Sequence, residues 1–143
     1  LYTSVIPNLL VEGVADAVAR SRALKVYVGN VMTQEGETEG YTAADHIRAI
    51  FQHSVPGLFQ LCLVNSAPIP REMQEKYEEE GAEPLVCDEA ECGKLGVELV
   101  YRPVSQVTDR YVRHDPALLA RALIELHSER SVRLAGGGYR IEN

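Results

Sequence analysis

The chain has 143 residues, 45% hydrophobic and 24% charged, which suits one ordinary globular domain and lies far from the composition of disordered segments. A formal charge of −7 leaves no basic field to collect phosphates. It disfavours nonspecific nucleic-acid or anionic-membrane binding, but not a small anion held by one or two local cations.

Residues Thr3 to Ser21 read as helical. Thr3 and Ser4 offer capping hydroxyls, Pro7 suits a first turn, and Leu10, Val14, Ala17 and Val18 recur at helical spacing. Gly13 weakens the middle of this segment and offers a point at which it breaks in two. Lys25 to Asn30 reads as a β-strand, followed by a polar loop from Thr33 to Tyr41. Thr42-Ala43-Ala44-Asp45 opens a helix with capping-box character that buries Ile47, Ile50 and Phe51 and ends near Pro56-Gly57. Phe59 to Val64 is a continuous apolar run, as expected of a strand covered on both faces. Pro70 to Glu80 reads as a charged helix, Pro84 to Val86 as a short strand, and Val97 to Pro103 as another. Asp115 to His127 reads as an amphipathic helix with Leu118, Leu119, Ala122 and Leu126 inward.

The alternation of strand and helix predicts an α/β fold with a parallel, doubly wound sheet. Ligands of such sheets sit beyond the carboxyl ends of the strands. The loops after Asn30, Val64 and Val100 are therefore the places to look for chemistry. No apolar run is long enough to span a bilayer, so no membrane insertion is expected. Cys62, Cys87 and Cys92 are odd in number and lack C-x-x-C spacing, and they read as reduced thiols in a cytoplasmic protein without a zinc site. The opening on Leu1 rather than Met reads as a cut inside a longer polypeptide. Residues 1–135 read as one lobe and residues 136–143 as a frayed, glycine-rich tail.

Four places carry candidate chemistry. The loop with Asn30, Thr33, Gln34, Thr38 and Tyr41 concentrates carboxamides, hydroxyls and glycines at a strand end. Carboxamides both donate and accept, which suits a sugar or a base edge. The same groups could equally serve their own backbone. Thr3 and Ser4 stand at a helix start, either as part of a phosphate cradle or as a plain cap. Arg113 lies in Arg110-Tyr111-Val112-Arg113-His114-Asp115 and could grip a diphosphate with its fork, or simply pair with Asp109 or Asp115. Tyr77, inside an acidic helix, is either a core anchor or a stacking surface. There is no Walker loop, G-x-S-x-G elbow or H-E-x-x-H motif.

The stretches "LYTSVIPNLLVEGV", "KVYVGNVMTQEGETEGYTAADH", "KYEEEGAEPLVCD" and "RHDP" resemble the C-terminal half of the gluconeogenesis-factor (YvcK) family, the CofD-like or UPF0052 proteins. The resemblance covers Leu1 to about Leu126 and lacks the family's N-terminal half and its Gly-Pro-Gly-Ser turn. It implies a three-layer Rossmann-like, cytoplasmic bacterial protein that binds UDP-N-acetylglucosamine and acts in cell shape and growth on gluconeogenic carbon sources. The family's tyrosine and arginine contacts to the ligand would fall on Tyr77 and Arg113. A homo-oligomer is expected, with no cofactor, no metal and no nucleic-acid partner. Part of the pocket would come from the missing half. The alternative is a phosphotransferase similar to the 2-phospholactate transferases, whose metal-binding acid has no clear match here. A third option is a structural lobe that is inert without its partner half.

Overall fold

The structure, a computed structural model, describes residues 1–108 and 111–136, with side chains as far as Ser131. Asp109, Arg110 and residues 137–143, which include most of the expected tail, lie outside the described residues. Strands β1 (Val26–Val28), β2 (Leu61–Asn65) and β3 (Glu98–Arg102) form a parallel sheet in the order β1-β2-β3. Val26 stands opposite Leu61, and Leu61 opposite Glu98. The helices are α1 (Ile6–Leu9), α2 (Val14–Arg20), α3 (Ala43–Gln52), α4 (Arg71–Glu79), α5 (Glu89–Lys94) and α6 (Pro116–Gly136). Between β3 and α6 an antiparallel hairpin is formed by β4 (Ser105–Val107) and β5 (Val112–His114).

The pleat of β2 explains the three layers. Successive side chains point to opposite faces of a strand. Leu61 and Leu63 pack toward α6, in clusters with Val100, Val104, Ala122 and Leu126. Cys62 and Val64 pack on the other face with Ile6, Ala43, Ala44, Ile47, Ile50 and Cys92, from α1, α3 and α5. Both faces of β2 are covered, and for this reason its sequence is apolar throughout rather than alternating.

Helix α3 begins as its sequence predicts. The Asp45 amide donates to Thr42 Oγ1 at 3.2 Å, and the Thr42 amide donates to Asp45 Oδ2 at 3.1 Å, a reciprocal capping box. These bonds hold the Asp45 carboxyl below its usual range. Thr42→Ala is expected to cost about 1 kcal/mol in chemical denaturation. An unchanged unfolding midpoint would show that α3 is held by its buried face alone.

Other expectations are corrected by the structure. The first helix is two helices, because Gly13 adopts a left-handed φ of +80° between them. Thr3 and Ser4 do not cap it: the residue before α1 is Val5, which makes no side-chain cap. Leu10 is exposed, and α3 ends at Gln52 rather than near Pro56. Pro84 to Val86 is not a strand. Pro84 has no N–H for a ladder, and isolated bridges from Met32 to Pro84 and from Thr42 to Val86 remain. Helix α6 runs on to Gly136, and Leu118 turns outward at 39% exposure while Leu119, Ala122, Leu123 and Leu126 face the sheet. Helix α5 and the β4–β5 hairpin were not anticipated.

Candidate functional site

Two clefts open where β1 and β2 end. The wider, about 530 Å³, is bounded by the loop from Asn30 to Gln34, by Tyr77 of α4 and by Tyr111 to His114 of the hairpin. The narrower, about 290 Å³, shares Asn30 and Val31 with it and continues past Asn65 and Gln74 to Cys87. The structure thus brings Asn30, Thr33, Gln34, Tyr77 and Arg113 to one cleft although they span more than eighty positions of chain.

The hairpin is held in place by two side chains that the chain order places far away. Asn65 Oδ1, at the end of β2, accepts from the Ala67, Val104 and Ser105 amides at 3.1–3.2 Å, and its Nδ2 donates to the Ala67 carbonyl. The Tyr77 hydroxyl accepts from the Val112 amide at 3.0 Å and lies 3.5 Å from the Val112 carbonyl. Its ring packs in a cluster of Val31, Met32, Met73 and Val112. Tyr77 is therefore an anchor for β5 and at the same time part of the cleft wall. Asn65 was missed by sequence reasoning; the one available signal was a carboxamide closing an otherwise apolar strand.

Arg113 is the residue after that anchor. Its guanidinium is exposed and lies 4.6 Å from the centre of the Tyr111 ring. No ion pair with Arg113 occurs among the described residues; Asp115 instead accepts from the Ala117 and Leu118 amides and caps α6. The lining of the wider cleft contains no carboxylate. His114 beside it is half-buried, and burial pushes its imidazole below the usual range against the opposing pull of Gly29. At neutral pH the charge on this lining is one guanidinium. Asp109, the other anticipated partner of Arg113, lies outside the described residues.

The remaining candidates serve structure or lie elsewhere. Thr33 is buried and accepts from the Glu83 amide at 2.9 Å through its hydroxyl. Thr38 is buried, and its hydroxyl accepts from the Gln34 amide at 3.0 Å, closing the turn. Tyr41 meets the Tyr2 hydroxyl at 3.0 Å and lines neither cleft. Thr3 and Ser4 also lie outside both clefts, and the Thr3 amide donates to Glu37 Oε1 at 2.7 Å. Glu37 Oε2 faces the Leu1 amino group at 3.3 Å. Burial acts to raise the Glu37 carboxyl, but the bonds from Thr3 and the amino group outweigh it and hold it below its usual range.

Behind this loop His46 is fully buried, with Nδ1 2.9 Å from the Thr42 carbonyl and Nε2 without a partner. Burial depresses its pKa, and the Thr42 carbonyl, Asp45 and Glu37 only partly oppose this. The unfolded chain, with an ordinary imidazole near 6.5, then binds a proton that the folded protein refuses. Stability contributed by His46, and by His114 in the same direction, is present above about pH 6.5 and is lost as pH falls below it. The melting temperature should therefore drop from pH 7.5 to 5.5, and more gently in His46→Gln. A melting temperature that rises over that interval would refute this account. Glu37 and Asp45, with lowered pKa values, add their loss only at lower pH.

Among the described residues, no helix is long and apolar enough to cross a membrane. Nor does any group of three or more His, Cys, Asp or Glu side chains among them converge to hold a metal. A family model described as 2-phospho-L-lactate transferase CofD matches residues 1–105. The chain is 44% identical over 125 residues to a gluconeogenesis factor of Halalkalibacterium halodurans, covering 87% of this chain and 39% of that one. It is 43% identical over 129 residues to a gluconeogenesis factor of Bacillus subtilis, covering 90% and 41%. A crystal structure of a UPF0052-family protein from Bacillus halodurans superposes with a TM-score of 0.80 at 44% identity, covering 85% and 39%. The chain spans about two fifths of the length of these relatives. With the fold, the family model and these relatives in agreement, the chain belongs to the CofD (UPF0052) family, on the side of the gluconeogenesis factors.

Proposed function

We propose that this chain forms one wall of a nucleotide-sugar site, and that UDP-N-acetylglucosamine is the ligand. The observation that supports it most is an arginine without a carboxylate partner among the described residues, set in a carboxylate-free cleft beside Asn30 and Gln34. A guanidinium fork matches diphosphate oxygens, and carboxamides match sugar hydroxyls. Binding works as a signal: the occupied cleft ties the Asn30 loop, α4 and the hairpin together and shifts the protein toward a partner or a homo-oligomer, in the service of cell shape and growth on gluconeogenic carbon sources. In this reading the protein acts at the cytoplasmic side of metabolism and needs no cofactor.

The second reading is a phosphotransferase like the 2-phospho-L-lactate transferases, favoured by the family model that spans residues 1–105. Those enzymes need a divalent metal, and the described residues do not offer a donor set for one. No step is routed through a metal here. Calorimetric titration with UDP-N-acetylglucosamine, UDP-glucose and GTP, with and without magnesium, decides between the two. Saturable UDP-sugar binding without turnover is the expected result. Metal-dependent consumption of GTP would replace the sensor by the transferase. The chain should bind more weakly alone than within the full length of a relative, because the remaining three fifths supply the facing wall. Equal affinities would show that this wall is sufficient.

A further inference from the structure

The narrower cleft differs in chemistry from the wider one that it joins. Its lining holds no Lys, Arg, His, Asp or Glu. The polar groups are the carboxamides of Asn30, Asn65 and Gln74, and Val31, Val64, Ile69 and Leu85 are among its apolar walls. A phosphate would enter it without a counter-charge and at a desolvation cost of several kcal/mol or about that order, so the anionic part of a ligand belongs near Arg113. The carboxamides are not equally free. Asn65 is consumed by the hairpin amides and the Ala67 carbonyl. Gln74 donates through Nε2 to the Ile69 carbonyl at 2.7 Å, which fixes its amide and leaves Oε1 to accept. Asn30 stands where the clefts meet.

We propose that the narrower cleft is a base subsite, taking an uncharged pyrimidine with an imide edge. The proposal rests on the nucleotide-sugar reading of the wider cleft and places the two ends of that ligand. A flat ring has apolar faces for the aliphatic walls and a polar edge for the carboxamides. A hexose carries hydroxyls around its whole rim and would need more partners than this lining provides. The imide N–H is the donor that Gln74 Oε1 requires, and the flanking carbonyl is an acceptor for Asn30 Nδ2. A cytosine ring presents a lone pair in place of that N–H and would face Gln74 Oε1 without a bond.

Cys87 provides a readout that does not depend on phosphate binding. It lies in the wall of this cleft and is half-buried, whereas Cys62 and Cys92, the remaining cysteines of the chain, are fully buried. N-ethylmaleimide should therefore label Cys87 first in the folded protein. Uridine and UMP are expected to slow that labelling severalfold, and cytidine and CMP much less. Gln74→Leu should bring the uridine-over-cytidine preference from about tenfold to about unity, the size of one lost hydrogen bond. If UDP-N-acetylglucosamine binds by calorimetry yet leaves Cys87 labelling and the Gln74→Leu preference unchanged, the base subsite is wrong and the nucleotide-sugar reading stands. If uridine protects Cys87 but no nucleotide sugar binds, the subsite stands and that reading falls. If neither happens, both are overturned.

Discussion

Arg113→Ala should weaken UDP-N-acetylglucosamine binding by about 1.5–3 kcal/mol, the range for a hydrogen bond to a charged group, or roughly ten- to a hundredfold in Kd. The same substitution should hardly change the melting temperature of the free protein. The side chain is exposed, no described carboxylate pairs with it, and its contact with the Tyr111 ring is worth about 0.5–1 kcal/mol. Arg113→Lys should recover only part of the affinity, since a lysine keeps the charge but loses the two-pronged geometry. Isothermal calorimetry and a thermal melt on both variants suffice. A large loss of stability with unchanged affinity would make Arg113 a structural residue and remove the main support for an anion in this cleft.

The Tyr77 variants should have the largest effect on stability. The hydroxyl accepts from the Val112 amide, and Val112 is buried, so Tyr77→Phe strands that amide and should cost about 1–3 kcal/mol. Tyr77→Ala also empties the space among Val31, Met32 and Met73 and should cost about 3–5 kcal/mol. Both should weaken ligand binding through Arg113, which the Val112 anchor positions. A pure stacking surface would behave otherwise: Phe would match the wild type in both assays, and Ala would lose affinity without losing stability. Denaturation midpoints and affinities on the two variants separate these outcomes. A wild-type melt for Tyr77→Phe would show that the Val112 bond contributes nothing.

The roles of Tyr77 show where sequence reading stops. From the acidic surroundings of Tyr77 the choice was between core anchor and ligand contact, and the structure gives a third arrangement, with ring in the core, edge in the cleft and hydroxyl on a strand 35 residues away. A phenol partner at that separation leaves no trace in local spacing. Arg113 is the opposite case. Its freedom from Asp115 follows from Asp115 capping α6, a bond between near neighbours that an Asp-Pro helix start could have suggested.

The sequence by itself determined what depends on neighbours along the chain. It yielded the α/β alternation, the doubly covered strand β2, the break at Gly13, the Thr42–Asp45 capping box, and a polar loop at the end of β1. Each of these follows from backbone preference or from a side chain reaching its own turn, and such interactions are encoded within a few residues. Tertiary structure alone decided the rest. It converted Pro84 to Val86 from a strand into isolated bridges, turned Leu118 outward while Leu119 and Leu123 packed inward, and closed a hairpin whose strands are only three residues each. It also divided the candidate residues, sending Asn30, Thr33, Gln34, Tyr77 and Arg113 to one cleft and Thr3, Ser4, Thr38 and Tyr41 elsewhere. The physical reason is that the cleft is made by three segments brought together by Asn65, Tyr77 and the parallel sheet. Contacts of that range depend on where the backbone is carried by the whole fold.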